Sequence, residues 1–143
     1  MKITEITDIS EVERLLSRSS LHTSDLRNND KLALFGVFEK DILIACIGLE
    51  MYGETALLRS LAVASEYRKR GIGRQLFLHA ENFCRQNGVK EIFLLTQTAE
   101  GFFTRFGFNH HKREDAPSSI TETTQFSGLC PVSSRFMMKA VNG

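Results

Sequence analysis

The chain has 143 residues, 42% of them hydrophobic, which is enough to bury one core without disulfides or structural metals. Its 18 basic and 17 acidic residues leave a formal net charge of +1, so the total charge gives no reason to expect nucleic acid or a membrane as a partner. No segment resembles a signal peptide or approaches the roughly 20 apolar residues that span a bilayer, and we expect one cytoplasmic domain over residues 1–143.

The first regular pattern predicts a helix at about residues 11–18. Ser10 and Glu13 have the spacing of a capping box. The apolar residues that follow recur at helical intervals.

A change of pattern at residue 32 predicts β-structure. Residues 32–63 are rich in β-branched, aromatic and aliphatic side chains, and turn-like residues interrupt them at 39–41 and 51–54. We therefore expect three consecutive antiparallel strands.

The next elements predict a strand, loop, helix and strand in series. After Gly73 the apolar residues follow a helical stripe that stops at Gly88. Residues 92–96 are almost continuously apolar, which is typical of a strand buried on both faces. The order over residues 57–96 therefore predicts a βαβ unit.

The C-terminal third predicts shorter elements. Residues 99–106 can form a helix that packs its phenylalanines inward and ends at a Gly-Phe pair. Residues 115–119 look like a helix start with an early proline, Cys130 and Pro131 break the pattern, and 135–140 predict a last strand. The fold class is mixed α/β around one central sheet.

One loop combines glycines with clustered positive charge. It consists of Arg68, Lys69, Arg70, Gly71, Ile72 and Gly73, followed by Arg74. Its backbone N–H groups and the start of the following helix can converge on an anion, and the glycines allow close backbone approach. The pattern predicts a diphosphate site, although a solvated basic turn has the same composition. The full ATPase and dinucleotide-binding glycine motifs are absent.

With these residues the sequence resembles the GNAT acetyltransferase superfamily, whose R/Q-x-x-G-x-G/A signature matches Arg68, Gly71 and Gly73. A second family hallmark, a short helix ending in a Gly-Phe pair, matches residues 99–108. The resemblance implies an α/β (α+β) fold in which helices flank a GNAT-like mixed central sheet. It also implies that acetyl-CoA is a co-substrate bound between splayed fourth and fifth strands, with no metal.

The resemblance also implies which residues bind acetyl-CoA. They are Leu61, Ala62 and Val63 of the strand, the loop residues Arg68, Lys69, Arg70, Gly71, Ile72, Gly73 and Arg74, and Phe103. Main-chain groups of the strand would pair with the pantetheine arm, and one strand N–H would polarise the thioester carbonyl during direct transfer without a covalent enzyme intermediate.

Proton transfer leaves more alternatives open. A lysine-like amine is neutral only about once in 10³ molecules at pH 7, equivalent to roughly 4 kcal/mol, so a base or desolvation is needed. Glu50, at a predicted strand end, is the candidate base, and an exposed structural glutamate is the alternative. Phe103 occupies the position where many family members have a tyrosine that protonates the departing CoA thiolate. This departure leaves Tyr52, Cys130 or solvent as the proton donor.

Three further residues are candidates for binding the acceptor. Strand parity places Arg59 on the face of Leu61 and Val63, where it could hold a carboxylate or an arsenic or phosphorus oxyanion; a surface ion pair is the alternative. Thr96 and Thr98 could direct hydroxyls into the cleft, or a threonine could cap the following helix.

The three cysteines are odd in number and match no metal-binding spacing. Cys46 and Cys84 lie in apolar patterns and are predicted to be core residues. Cys130 lies in a less regular segment, where it is either packed or a ligand for trivalent arsenic.

We therefore predict an acetyl-CoA-dependent N-acetyltransferase for a small-molecule amine acceptor, either an amino acid or an arsenic- or phosphorus-containing analogue. Residues 57–63, 95–96, 99–103 and 129–131 resemble GNAT proteins of the arsenic-resistance N-acetyltransferase type, which implies a detoxification role. The alternatives are a catalytically silent acyl-CoA-binding sensor and a protein or peptide N-acetyltransferase. We expect a monomer or homodimer.

Overall fold

The computed structural model describes residues 1–129 and 133–141 of the chain. The strands are β1 (Thr4–Glu5), β2 (Leu32–Glu39), β3 (Ile42–Tyr52), β4 (Thr55–Val63), β5 (Glu91–Thr96), β6 (Asn109–His110) and β7 (Arg135–Ala140). The α-helices are α1 (Ile9–Arg18), α2 (Ile72–Gln86), α3 (Glu100–Arg105) and α4 (Ser118–Thr121). These described strands form one mixed sheet in the order β1-β2-β3-β4-β5-β7-β6, which confirms the predicted fold class.

The predicted first helix is present but begins two residues earlier than expected. Its N-cap is Asp8, whose side chain accepts a hydrogen bond of 3.0 Å from the backbone N–H of Ser10. The predicted cap at Ser10 is therefore wrong, because an aspartate two positions earlier already satisfies a free helix N–H. The helix buries Val12, Leu15 and Leu16 against the sheet.

The three predicted antiparallel strands correspond to β2, β3 and β4. Lys40 and Asp41 both have positive φ, at 51° and 66°, which is the backbone of a two-residue hairpin turn that follows the strand twist. Gly53, with φ of 73°, supplies the left-handed residue in the second turn. Both turns lie where the sequence predicts them.

The central strands β4 and β5 diverge along their length. They pair in parallel only from Thr55 with Glu91 to Leu57 with Phe93. Beyond that point β4 continues to Val63 paired with β3, while β5 continues to Thr96 paired with β7. A gap therefore opens in the middle of the sheet.

The two faces of the sheet carry separate cores. The α2 face buries Leu76, Phe77 and Ala80 of α2 against residues such as Ile47 and Leu58. The α1 face packs α1 against a smaller cluster that includes Cys46 and Ala62 of the strands. Within residues 1–129 and 133–141, no helix has the length and apolar character to cross a membrane.

The last strand has the predicted bounds, Arg135–Ala140, whereas the helices of the C-terminal third are shorter than the sequence suggests. The segment predicted to begin a helix at 115–119 has a 3-10 turn at Arg113–Asp115, and α4 begins only after Pro117. A π-helical turn follows at Gln125–Leu129. The predicted break at Cys130 and Pro131 lies outside the described residues.

Candidate functional site

The gap between β4 and β5 opens into a cleft of about 870 Å³. Its walls are residues 58–63 of β4, residues 94–98 at the end of β5, several residues of α3, and residues 19–22 that follow α1. The α2 N-terminus reaches it through Gly73. The cleft therefore connects the two faces of the sheet.

The N-terminus of α2 lies at this cleft without a capping side chain. Gly71 is the N-cap, has φ of 78°, and offers no side chain to the first helical N–H groups. The first turn of this 15-residue helix carries no acidic residue. Free N–H groups and the helix dipole together favour a negatively charged group here.

The two glycines of the loop differ in backbone conformation and in surroundings. Gly71 needs a left-handed conformation, and a Cβ on it would meet no atom within 4 Å. A Cβ on Gly73 would lie 3.6 Å from the ring of Phe102, an ordinary van der Waals separation, so the packing of α2 on α3 would also admit a small side chain here. Gly71 thus shapes the loop, whereas Gly73 lines the cleft between the two helices.

The basic side chains of the loop are partly engaged in holding it. Arg68 Nε donates to the carbonyl of Val63 at 3.0 Å, which ties the loop to the last residue of β4. The guanidinium of Arg70 lies over the Tyr67 ring, 5.2 Å from its centroid. Arg68 lines the cleft, whereas Lys69, Arg70, Ile72 and Arg74 are not among its described lining residues.

Phe103 is buried and lines the cleft from α3. Its ring lies 5.1 Å from that of Phe102 and 5.5 Å from that of Phe108, centroid to centroid, with edge-on geometry in both cases. The position therefore contributes an apolar wall with no proton to donate.

A β-bulge in β4 changes the direction of the side chains at the cleft. Cys46 pairs with Ala62 and Gly48 pairs with Arg59. A step of two residues along β3 therefore corresponds to a step of three along β4. The extra residue is accommodated at Ser60, whose φ of 60° is left-handed. Arg59 therefore shares a face with Ala62 rather than with Leu61 and Val63. The prediction from strand parity is wrong for this reason.

Arg59 lies at the centre of a buried ionic network. Its guanidinium binds both carboxylate oxygens of Asp25, with Nη2 to Oδ1 at 2.6 Å, and its Nη1 donates to Glu50 Oε2 at 2.8 Å. The side chains of Arg59, Asp25 and Glu50 are only 1%, 7% and 3% exposed. The alternatives of a surface ion pair for Arg59 and an exposed Glu50 are therefore wrong.

Both oxygens of Glu50 are engaged in this network. The hydroxyl of Tyr52 donates to Oε1 at 2.5 Å, and Arg59 donates to Oε2. Burial, followed by the hydrogen bond to the Glu50 carboxylate, raises the pKa of Tyr52 well above its ordinary value. Arg59 lines the cleft, whereas Glu50 and Tyr52 are not among its described lining residues.

The two candidate threonines occupy the β5 end of the cleft. Thr96 Oγ1 accepts a hydrogen bond of 3.0 Å from the backbone N–H of Ala99, just before α3. This contact precedes the helix, whose N-cap is Ala99 and which has no side-chain cap hydrogen bond, so the alternative that Thr96 caps α3 is wrong. Thr98 also lines the cleft.

The residues of the site that the sequence did not predict include Asp25, Ser60 and Ser134. Asp25 is 34 positions from Arg59, and Ser60 forms the bulge without the glycine that usually signals one. Ser134 lines the cleft, is 5% exposed, and its Oγ has no hydrogen-bond partner among the described residues. No local pattern of residues marks any of the three.

Cys46 and Cys84 are free thiols buried in the core, as predicted. Burial raises the pKa of each to about 12, so both remain protonated at neutral pH. Cys130 lies outside the described residues, and its predicted roles stay predictions.

Comparison with known proteins relates this architecture to a family. Residues 3–108 match the model of the acetyltransferase (GNAT) family. An uncharacterised N-acetyltransferase of Chlorobaculum tepidum is 40% identical over 82 residues, which cover 57% of this chain and 52% of that protein. An amino-acid acetyltransferase of Ralstonia nicotianae is 34% identical over 89 residues, which cover 60% of this chain and 20% of the relative.

A solved structure shares the fold. The N-acetylglutamate synthase of Neisseria gonorrhoeae, in complex with coenzyme A and N-acetyl-glutamate, superposes with a TM-score of 0.79 at 18% identity. The match covers 100% of this chain and 36% of that one. The chain thus spans about half, or less, of the length of these relatives.

Proposed function

The chain belongs to the acetyltransferase (GNAT) family, and on that premise we propose that it transfers the acetyl group of acetyl-CoA to the amine of a small amino compound. The observation that carries the proposal is the cleft that opens where β4 and β5 diverge, directly in front of the α2 N-terminus. An α-amino acid is the first acceptor to consider, because a relative is an amino-acid acetyltransferase.

The residues at the cleft fit acetyl-CoA in three respects. The β4 residues Leu61, Ala62 and Val63 lie beyond the last pair with β5, so an extended pantetheine arm has main-chain groups to meet there. The α2 N-terminus, with the basic loop before it, suits the diphosphate. Phe103 offers an apolar surface to the arm.

The reaction that this arrangement supports is direct acyl transfer. The acceptor nitrogen attacks the thioester carbon, the new C–N bond replaces the C–S bond, the nitrogen loses a proton, and the sulfur leaves as a thiolate that takes one up. A backbone N–H near the Ser60 bulge would stabilise the negative charge that develops on the carbonyl oxygen. Bound acetyl-CoA supplies the activated acetyl group.

Glu50 and Tyr52 remain the candidate proton-transfer groups, acting through water rather than by direct contact. Both carboxylate oxygens of Glu50 already accept hydrogen bonds, and the proton of Tyr52 is directed at Glu50. Because Phe103 has no proton to give, the leaving thiolate would be protonated by Tyr52 through water, by Cys130 or by solvent. Its pKa, near that of cysteine at about 8.5, makes this tolerable.

The finer identity of the acceptor is supported by fewer observations. The engagement of Arg59 by Asp25 and Glu50 removes it as a free cation for a carboxylate or oxyanion. Arsenic- and phosphorus-containing amino acids, and the detoxification role, are retained on the sequence resemblance. The same proposal includes one domain over residues 1–143, a cytoplasmic location and a monomeric or dimeric state.

The test is thiol release from acetyl-CoA by the purified protein, with acetyl-CoA binding measured in parallel by calorimetry. The acceptor panel contains the amino acids, their phosphinic and arsinic analogues, polyamines and peptides. Turnover with amino acids supports the proposal, and turnover only with peptides supports a peptide acetyltransferase. Binding without turnover indicates the sensor alternative, for which Phe103 is the motivating residue, and absence of binding contradicts the central claim.

A further inference from the structure

The cleft has one wall that belongs to neither central strand. Ser19, Ser20, Leu21 and His22 line it from the connection between α1 and β2. This connection continues through Asp25 and Leu26 before β2 begins at Leu32. It lies on the α1 face of the sheet, since Leu26 is buried in the same cluster as α1.

The two faces of the sheet divide the cleft between its two ligands. The α2 N-terminus, proposed to hold the diphosphate of acetyl-CoA, belongs to the α2 face, where Leu58 and Ile72 are packed. The α1 face is left for the approach of the acceptor. Residues 19–22 therefore form a wall of the acceptor half, and whatever fixes their position affects acceptor binding.

The connection is tied to β4 by the ion pair between Asp25 and Arg59. Two parallel contacts join the guanidinium and the carboxylate, and both side chains are almost fully buried. Such paired hydrogen bonds fix relative orientation as well as distance. Arg59 Nε also donates to Ser60 Oγ at 3.1 Å, so the same side chain contacts the bulge residue of β4.

We propose that Asp25 is a positioning residue for the acceptor: its ion pair with Arg59 holds the connection against β4, so that residues 19–22 form a fixed acceptor wall. The inference rests on the proposed function, since residues 19–22 form an acceptor wall only if the cleft binds an acceptor. Asp25 would contact neither substrate. The Arg59 guanidinium would bind carboxylates of the protein rather than the acceptor.

Asp25→Asn separates positioning from folding. The substitution keeps the size of the side chain and leaves Arg59 paired with Glu50 at 2.8 Å, so no buried charge loses its only partner. The matched control is Arg27→Gln, which removes the ion pair between Arg27 and Glu13. That pair also ties the connection to α1, but the side chain of Arg27 is 59% exposed.

The first measurement is steady-state kinetics with the best amino-acid acceptor of the panel. For Asp25→Asn we expect the acceptor KM to rise at least tenfold while the acetyl-CoA KM stays within twofold of wild type. Arg27→Gln should match wild type in both. An acceptor KM within twofold of wild type, or an equal rise in both KM values, would overturn the proposal, because a general loss of structure affects both substrates.

The second measurement is amide hydrogen exchange on the free proteins. Amides of residues 19–26 should exchange faster in Asp25→Asn than in wild type, with α2 unchanged, and Arg27→Gln should match wild type. Unchanged exchange in this segment would overturn the positioning role. If the wild-type protein acetylates nothing in the panel, the proposed function fails, whereas the exchange result still decides whether Asp25 holds the wall.

Discussion

Replacing Arg59 with alanine should destabilise the fold far more than the loss of a surface ion pair. The substitution leaves the Asp25 and Glu50 carboxylates, 7% and 3% exposed, without the guanidinium that they share. Removing one partner of a buried ion pair costs about 3–5 kcal/mol. An unfolding entropy of roughly 2.1 cal/mol/K per residue gives about 0.3 kcal/mol/K for 143 residues, so the melting temperature should fall by about 10–17 °C.

Urea unfolding followed by circular dichroism measures this loss. The m-value should stay at the wild-type level, since a change in m would indicate that the compactness of a state had changed as well. Arg59→Lys should fall between alanine and wild type, because it keeps the charge but cannot make the two parallel contacts to Asp25. Arg27→Ala is the exposed control and should leave the midpoint unchanged.

A decrease of less than about 1 kcal/mol in the free energy of unfolding of Arg59→Ala, with an unchanged m-value, would refute this expectation. Solvent-exposed ion pairs contribute in that range. Such a result would mean that water reaches the network in solution. The guanidinium would then again be free to bind an acceptor carboxylate.

Three further predictions follow from single positions. Gly71→Val should weaken acetyl-CoA binding in calorimetry by roughly tenfold, since a left-handed φ costs an L-residue about 1–2 kcal/mol; Gly53→Val, with a similar φ and equally open space, should leave this affinity unchanged. Ser134→Ala should not lower the melting temperature, because no hydrogen-bond partner of its Oγ is found among the described residues. Iodoacetamide at pH 8 should leave Cys46 and Cys84 unlabelled by peptide mass mapping until the protein is unfolded, because burial raises both thiol pKa values to about 12.

The parts of the fold that could be predicted depend on local signals. The turns of the β2–β3–β4 meander are marked by residues that tolerate positive φ, and the end of α2 is marked by Gly88, whose φ is 78°. The apolar stripe of α2 and the apolar run of β5 are likewise read within a short window of sequence. The glycine loop is predictable for the same reason, since its residues are consecutive.

The errors occurred where a single residue changes the geometry of a longer element. One extra residue at Ser60 reverses the side-chain alternation of β4, and Ser60 takes the left-handed conformation although serine gives no warning of it. Ser10 and Glu13 have the spacing of a capping box and so predict a cap at Ser10, whereas Asp8 is the acceptor that caps the helix. Asp25 could not be found, since its partner lies 34 residues away.

The two halves of the cleft therefore differ in what determines them. The proposed cofactor half would use backbone groups and a helix terminus, which depend little on side-chain identity and can be read from one loop. The proposed acceptor half would instead depend on a network among residues 25, 50, 52 and 59, in which two carboxylates share one guanidinium. Arg59 is the member of this network that lines the cleft, and its guanidinium is already paired with both carboxylates. The network would therefore select the acceptor through the shape of the wall that it holds, rather than by offering a free cation to a carboxylate or oxyanion.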